Sequence, residues 1–229
     1  MSPDGVAGRL TEVRERIAAA ARSAGREPES VTLVVVTKEV DVAGVHAAIA
    51  AGAYELGENR AQELVAKVEA LAGADEPARS AVRWHFIGRL QRNKVRAVAP
   101  YVALWQSIDR ADLAAEVGRR SPGAAVLVQV NMTGEVQKGG CAPDETDALV
   151  QACREQGCRV EGLMTVPAAV GDPRGVFARL RRMTDRLGLG VCSMGMSGDF
   201  EVAIGEGATM VRVGGAIFGP RPGGSGARR

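Results

Sequence analysis

The sequence predicts a single closed (β/α)8 barrel preceded by one extra helix. Three observations predict it. Eight short apolar runs alternate with helical patterns, no linker or composition break divides them, and the whole alternation fits into roughly 200 residues, the small end of that fold. At 229 residues, 46% hydrophobic and 24% charged, the chain has the size and balance to bury a large core. The alternative is an open doubly wound sheet, which the lack of a Gly-x-Gly-x-x-Gly after the first strand weakens. One domain is expected over residues 1–219, with 220–229 a disordered tail rich in Gly, Pro, Ser and Arg.

Residues 4–24 read as an amphipathic helix, with Val6, Leu10, Val13 and Ile17 at helical spacing and Gly25 and Pro28 closing it. The organising stretch follows: Val31-Thr32-Leu33-Val34-Val35-Val36-Thr37-Lys38, an apolar, β-branched run suited to a strand buried on both faces, ending on an ammonium. A helix is predicted at 42–51, a strand from Ala53 to Leu56, and a helix running from Gly57-Glu58-Asn59 to about Leu71. The third strand is Val82 to Ile87, with a basic helix to about Ala99. Strand four is Val102 to Gln106, with Ser107 or Asp109 available to cap a helix reaching Arg120. Strand five is Ala125 to Val130 and its helix Pro143 to Gln156; strand six is Arg159 to Leu163 and its helix Pro173 to Leu187. Strand seven, Val191 to Met194, leads to a helix near Asp199 to Glu206, and strand eight is Thr209 to Val213.

Composition excludes several classes of function. A net charge of +2 argues against nucleic acid or a membrane surface as partner. The basic group Arg89, Arg92, Lys94 and Arg96 reads as a solvated helix face. Cys141, Cys153, Cys158 and Cys192 form no Cys-x-x-Cys and no Cys/His spacing of a zinc site, so free thiols and no metal are expected. Without a signal-like N-terminus or an apolar run near 20 residues, a cytoplasmic protein is expected.

In a barrel of this kind the chemistry lies at the C-terminal ends of the strands, and phosphate groups sit on the loops after strands seven and eight. Ser197-Gly198 and Gly214-Gly215 fall on those two loops. Small residues there expose backbone N–H groups to an anion. Arg212 alternates with Met210 and so points into the barrel, where it must meet an anion or a structural partner. His85 is either a core residue or a rim residue, and Glu58 and Asn59 are either rim groups or helix caps. Thr133 and Lys138 lie in a long loop that has the makings of a lid. A lysine opposite a phosphate cup suggests a Schiff base with a phosphorylated aldehyde, either a sugar phosphate or pyridoxal phosphate.

The runs Val36-Thr37-Lys38, Gly57-Glu58-Asn59 with Gln62-Glu63, Trp84-His85-Phe86-Ile87-Gly88 and Ser193-Met194-Gly195-Met196-Ser197 together resemble the pyridoxal-phosphate homeostasis protein family. So do Arg212-Val213-Gly214 and Ile217-Phe218-Gly219. That family is similar to a stand-alone alanine racemase N-terminal barrel. The resemblance implies that Lys38 carries pyridoxal 5'-phosphate as a Schiff base. It also implies that Ser197, Gly198, Gly214 and Gly215 hold the phosphate, Arg212 faces the pyridine nitrogen, and Asn59 and His85 flank the ring. The family usually has Ser or Thr where this chain has Gly215, which implies weaker but surviving phosphate binding. It further implies a monomer that holds the cofactor and supplies it to apo-enzymes, without efficient catalysis of its own. An amino-acid racemase is the alternative, and a class I aldolase a more distant one. A fixed positive charge at the ring nitrogen makes a poor electron sink. Tyr54 and Tyr101, the only tyrosines, are expected away from the mouth.

Overall fold

The computed structural model describes residues 3–71, 80–167 and 171–219, so the expected tail at 220–229 lies outside the described residues. Eight parallel strands close into a barrel in strict chain order, β1 to β8, with β8 paired back onto β1. They are β1 Thr32–Val36, β2 Glu55–Glu58, β3 Arg83–Phe86, β4 Val102–Ile108, β5 Ala125–Gln129, β6 Arg159–Met164, β7 Val191–Ser193 and β8 Met210–Val213. The helices outside them are α2 Val42–Ala50, α3 Ala61–Ala70, α4 Val95–Val98, α5 Ala111–Arg120, α6 Thr146–Glu155, α7 Arg174–Arg186, α8 Phe200–Gly205 and α9 Gly215–Phe218. The expected extra helix is α1, Pro3–Ser23, which buries Val6, Leu10, Val13, Ile17 and Ala21. No helix among the described residues is long and apolar enough to cross a membrane.

Strand alternation divides the core in two. Val34, Leu104, Ala125, Leu127, Met164 and Met210 form a small cluster inside the barrel. The larger cluster, including Val35, Leu56, Trp105, Leu163 and Val211, packs the outer strand faces against the helices. Arg9 on α1 donates from Nε to the Ile217 carbonyl on α9 at 2.5 Å, tying the first helix to the last.

Several boundaries differ from expectation for local reasons, among them β2, which runs on through Gly57 and Glu58 where the next helix is expected to begin. Strand β2 starts at Glu55, two residues late, because Gly52 at φ 79° and Ala53 are used to close α2. Their N–H groups donate to Ile49 and Ala48 at 2.8 and 2.9 Å. Strand β4 runs on to Ile108, so Ser107 is a strand residue donating to Gly88 O at 2.5 Å. Helix α5 therefore starts after Arg110 without a side-chain cap, and neither Ser107 nor Asp109 caps it. The expected basic helix shrinks to a 3-10 turn at Arg92–Lys94 and the single turn of α4. Arg92 and Arg96 repel at i,i+4, and no side chain caps the segment.

Candidate active site at the barrel mouth

Lys38 sits half-buried two residues beyond β1, in a turn closed by Val40 N–H donating to Thr37 O at 2.9 Å. The next residue, Glu39, has φ 61°, the one non-glycine residue with positive φ among those described. Such a conformation persists only where its surroundings hold it. Here the hold comes from β2 and α3. Thr37 Oγ1 donates to Glu58 Oε1 at 2.6 Å, Lys67 Nζ donates to Thr37 O and to Glu58 Oε1 at 2.6 Å each, and Glu39 N–H donates to Glu63 Oε2 at 3.0 Å. Glu58 is fully buried, and burial pushes its carboxyl above the ordinary range despite the bonds from Lys67 and Thr37. Glu58 thus anchors the base of the lysine turn from the helix side of β2. It caps nothing.

Across the mouth, Ser197 Oγ accepts from the backbone N–H groups of Gly214 at 3.3 Å and Ala216 at 3.2 Å. Two amides converging on one hydroxyl tie the loops after β7 and β8 into a single cradle. Gly214 has to be glycine: a Cβ there would lie 2.8 Å from the carbonyl oxygen of Val36 on β1. Gly198 faces open space, and a Cβ at Gly215 would meet only Ser197 Oγ, at 3.7 Å. Because β8 pairs with β1, the cradle and the Lys38 turn share one end of the barrel.

Arg212 points into the barrel and is buried. Its Nη1 donates to Ser193 Oγ at 2.6 Å and its Nη2 to Thr165 O at 2.7 Å. Desolvation pushes its pKa down to about 10, which still leaves a charged guanidinium at neutral pH. No described carboxylate lies within ion-pair distance of it. Asn59 follows β2 directly, and its Oδ1 is buried without a hydrogen-bond partner. His85 is buried in the interior, between Glu55 at 2.5 Å and Gln106 at 2.7 Å, and reaches Arg212 only through Gln106 and Ser193. Lys38, Asn59, Ser197, Gly214 and Gly215 therefore gather at one end of the barrel, while His85 lies deeper. Tyr54 and Tyr101 are exposed and precede β2 and β4, at the opposite end. In the 131–140 loop, Lys138 Nζ donates to Glu135 and to Pro167 O, each at 2.6 Å.

Sequence reasoning missed Glu55, Lys67, Gln106 and Ser193. Lys67 had a usable signal: it shares the buried face of α3 with Ala61 and Leu64, where an unpaired ammonium is costly. Gln106 and Ser193 had one too, being polar residues at inward positions of apolar strands.

Comparison with known proteins shows the family and the fold. The family profile described as "Alanine racemase, N-terminal domain" matches residues 9–222. A "Pyridoxal phosphate homeostasis protein" from Pseudomonas aeruginosa is 41% identical over 226 residues, covering 94% of this chain and 96% of its own. PipY of Synechococcus elongatus, solved with PLP bound, superposes with a TM-score of 0.78 at 30% identity, covering 93% of this chain and 100% of its own. Alanine racemase from Corynebacterium glutamicum shares the fold at a TM-score of 0.65 and 18% identity, this chain covering 62% of it. On barrel, motifs and relatives alike, this chain belongs to the pyridoxal phosphate homeostasis protein family.

Proposed function

We propose that the protein holds pyridoxal 5'-phosphate at the barrel mouth through Lys38 and supplies it to enzymes that need it, without efficient turnover of its own. The observation that carries this is the convergence at one barrel end of the Lys38 turn and the Ser197–Gly214–Ala216 cradle. The residues present fit the group. The cradle offers hydroxyl and amide groups to a phosphate, and the buried Asn59 Oδ1 is an acceptor still to be satisfied, which a hydroxylated ring can do. The PLP-bound relative supports the same reading.

When bound, the cofactor supplies an aldehyde that condenses with a primary amine, releasing one water. Lys38 is the amine we assign, held in place by the turn that Glu58, Glu63 and Lys67 clamp. Ser197, Gly198, Gly214 and Gly215 are assigned to the phosphate, Arg212 to the ring nitrogen, and Asn59 to the ring edge. His85 is assigned a role at one remove, through Arg212. A guanidinium at the ring nitrogen opposes its protonation, so the ring withdraws electrons poorly. A racemase also needs a second acid–base group on the other substrate face, and Tyr54 and Tyr101 do not reach the mouth.

Incubation with pyridoxal phosphate, borohydride reduction and peptide mapping should give one pyridoxyl label, on Lys38, and none in Lys38→Ala. Labelling elsewhere, or a colourless wild type, overturns the assignment. Transfer of cofactor from the loaded protein to an apo-enzyme is expected. Multiple turnovers with a D- or L-amino acid would instead favour the racemase reading, and borohydride trapping of a sugar phosphate the aldolase reading.

Gly215→Thr tests the cradle. The Cβ has ordinary contact distance from Ser197 Oγ, so threonine fits and adds a donor. One added hydrogen bond to a charged group contributes about 1.5–3 kcal/mol, so pyridoxal phosphate should bind about tenfold tighter or more. Unchanged affinity would show that the hydroxyl plays no part.

A further inference from the structure

The interior of a barrel like this is normally filled by branched apolar side chains. Here five strands put polar groups there beside the apolar cluster, and they are joined. Arg212 Nη1 donates to Ser193 Oγ at 2.6 Å, Ser193 Oγ to Gln106 Oε1 at 2.7 Å, Gln106 Nε2 meets His85 Nδ1 at 2.7 Å, and His85 Nε2 meets Glu55 Oε2 at 2.5 Å. The line runs from β8 through β7, β4 and β3 to the first residue of β2, at the base of the barrel.

Its two ends, together with the Gln106 amide orientation that puts Oε1 on Ser193 and Nε2 on His85, fix its sense. A guanidinium only donates, so Ser193 accepts from Arg212 and passes its own proton on to Gln106. A carboxylate only accepts, so His85 Nε2 carries a proton and donates it to Glu55. The neutral ring then has a bare Nδ1, which accepts from the Gln106 amide, and the second amide proton goes to Met210 Sδ at 3.2 Å. Every donor therefore points the same way, from the buried cation to the carboxylate. Aligned hydrogen bonds polarise one another. Glu55 keeps about a quarter of its side chain exposed. A guanidinium buried without an ion-pair partner is expensive; its bonds to Ser193 Oγ and Thr165 O and the nearby charge of Asp199 offset part of that cost.

We propose that Gln106 and His85 are positioning residues for Arg212, acting through Ser193, with Glu55 anchoring the far end of the line. The line fixes the guanidinium's plane by its Nη1 bond and conveys the state of Glu55 to the barrel mouth. What Arg212 then faces rests on the cofactor reading above; the line itself does not.

The test begins without cofactor. The chain has two histidines, and His46 is exposed on α2, so His46→Gln leaves one set of imidazole signals. Long-range 15N–1H correlation near pH 8 should show His85 protonated at Nε2 and bare at Nδ1; the opposite tautomer overturns the proposal. Coupling is read on the Arg212 guanidinium nitrogens. Glu55→Gln should shift them when Ser193 is present and far less in the Ser193→Ala background. Equal shifts in both backgrounds, or none in either, overturn it. With pyridoxal phosphate added, Glu55→Gln should weaken binding about fivefold or more when Ser193 is present and not in Ser193→Ala; affinity unmoved by Glu55→Gln overturns the positioning role. Failure of the wild type to bind overturns the cofactor reading and leaves the line to be decided by the two cofactor-free measurements.

Discussion

Lys67→Met is expected to cost roughly 3–5 kcal/mol of stability, the range for breaking a buried ion pair by removing one partner. Lys67 and Glu58 are both buried, their contact is 2.6 Å, and Glu58 Oε2 already lacks a partner. Without Lys67, Glu58 keeps only Thr37, and the carboxylate must stay charged in an apolar layer or take up a proton. Its pKa, already raised by burial in the wild type, then rises further. The folded state binds a proton that the unfolded chain has released, so stability falls as pH rises through the window between the two pKa values. Urea midpoints of Lys67→Met should therefore drop more at pH 8 than at pH 5. Lys67→Met combined with Glu58→Gln should recover most of the loss at pH 8 and lose the slope. A single variant within about 1 kcal/mol of wild type at pH 8 would mean that the pair contributes little more than an exposed one. Because the same groups clamp the turn after Thr37, the single variant should also lower labelling of Lys38.

Gly162→Ala is expected to be comparably severe for a different reason. A Cβ on Gly162 would lie 1.8 Å from the carbonyl oxygen of Val191 and 2.5 Å from its carbon. The obstacle is backbone, so no side-chain rotation relieves it, and β6 and β7 must separate. Overpacking a core costs about 1–3 kcal/mol, occasionally more, and a collision this deep should reach or exceed the top of that range. The next residues along the two strands supply the groups that hold Arg212: Met164 pairs with Ser193, and Thr165 N–H donates to Ser193 O at 3.1 Å. Gly162→Ala should therefore lower both the urea midpoint and cofactor affinity. Gly190→Ala, whose Cβ would meet nothing within 4 Å, should stay within about 0.5 kcal/mol of wild type. Equal behaviour of the two alanine variants would refute the steric account.

The barrel was legible because its strands are β-branched runs and its helices carry clean apolar stripes. Where boundaries moved, the cause lay in interactions that periodicity does not carry, such as Ala53 being spent on closing α2. The Lys38 turn, the Ser197 loop and the inward Arg212 were readable because each combines a strand end with a residue type that burial penalises. The polar line behind Arg212 was not. Glu55, Gln106 and Ser193 lie far apart in sequence, and only the closed order of the strands brings their inward faces together. The sequence leaves Glu58 open between a rim group and a helix cap because alternation along a four-residue strand is too short to show which way it faces. Its partner Lys67, nine residues on, settles the matter in three dimensions.

One consequence follows from the pairing of β8 with β1 and the Arg9–Ile217 bond between the first and last helices. Lys38 is translated well before the Ser197 loop and Arg212, which complete the same end of the barrel. Until that last stretch is made, β1 presents a bare hydrophobic edge that invites pairing with other chains. The end of the barrel that gathers Lys38, Ser197 and Gly214 is thus complete only once the cylinder is sealed.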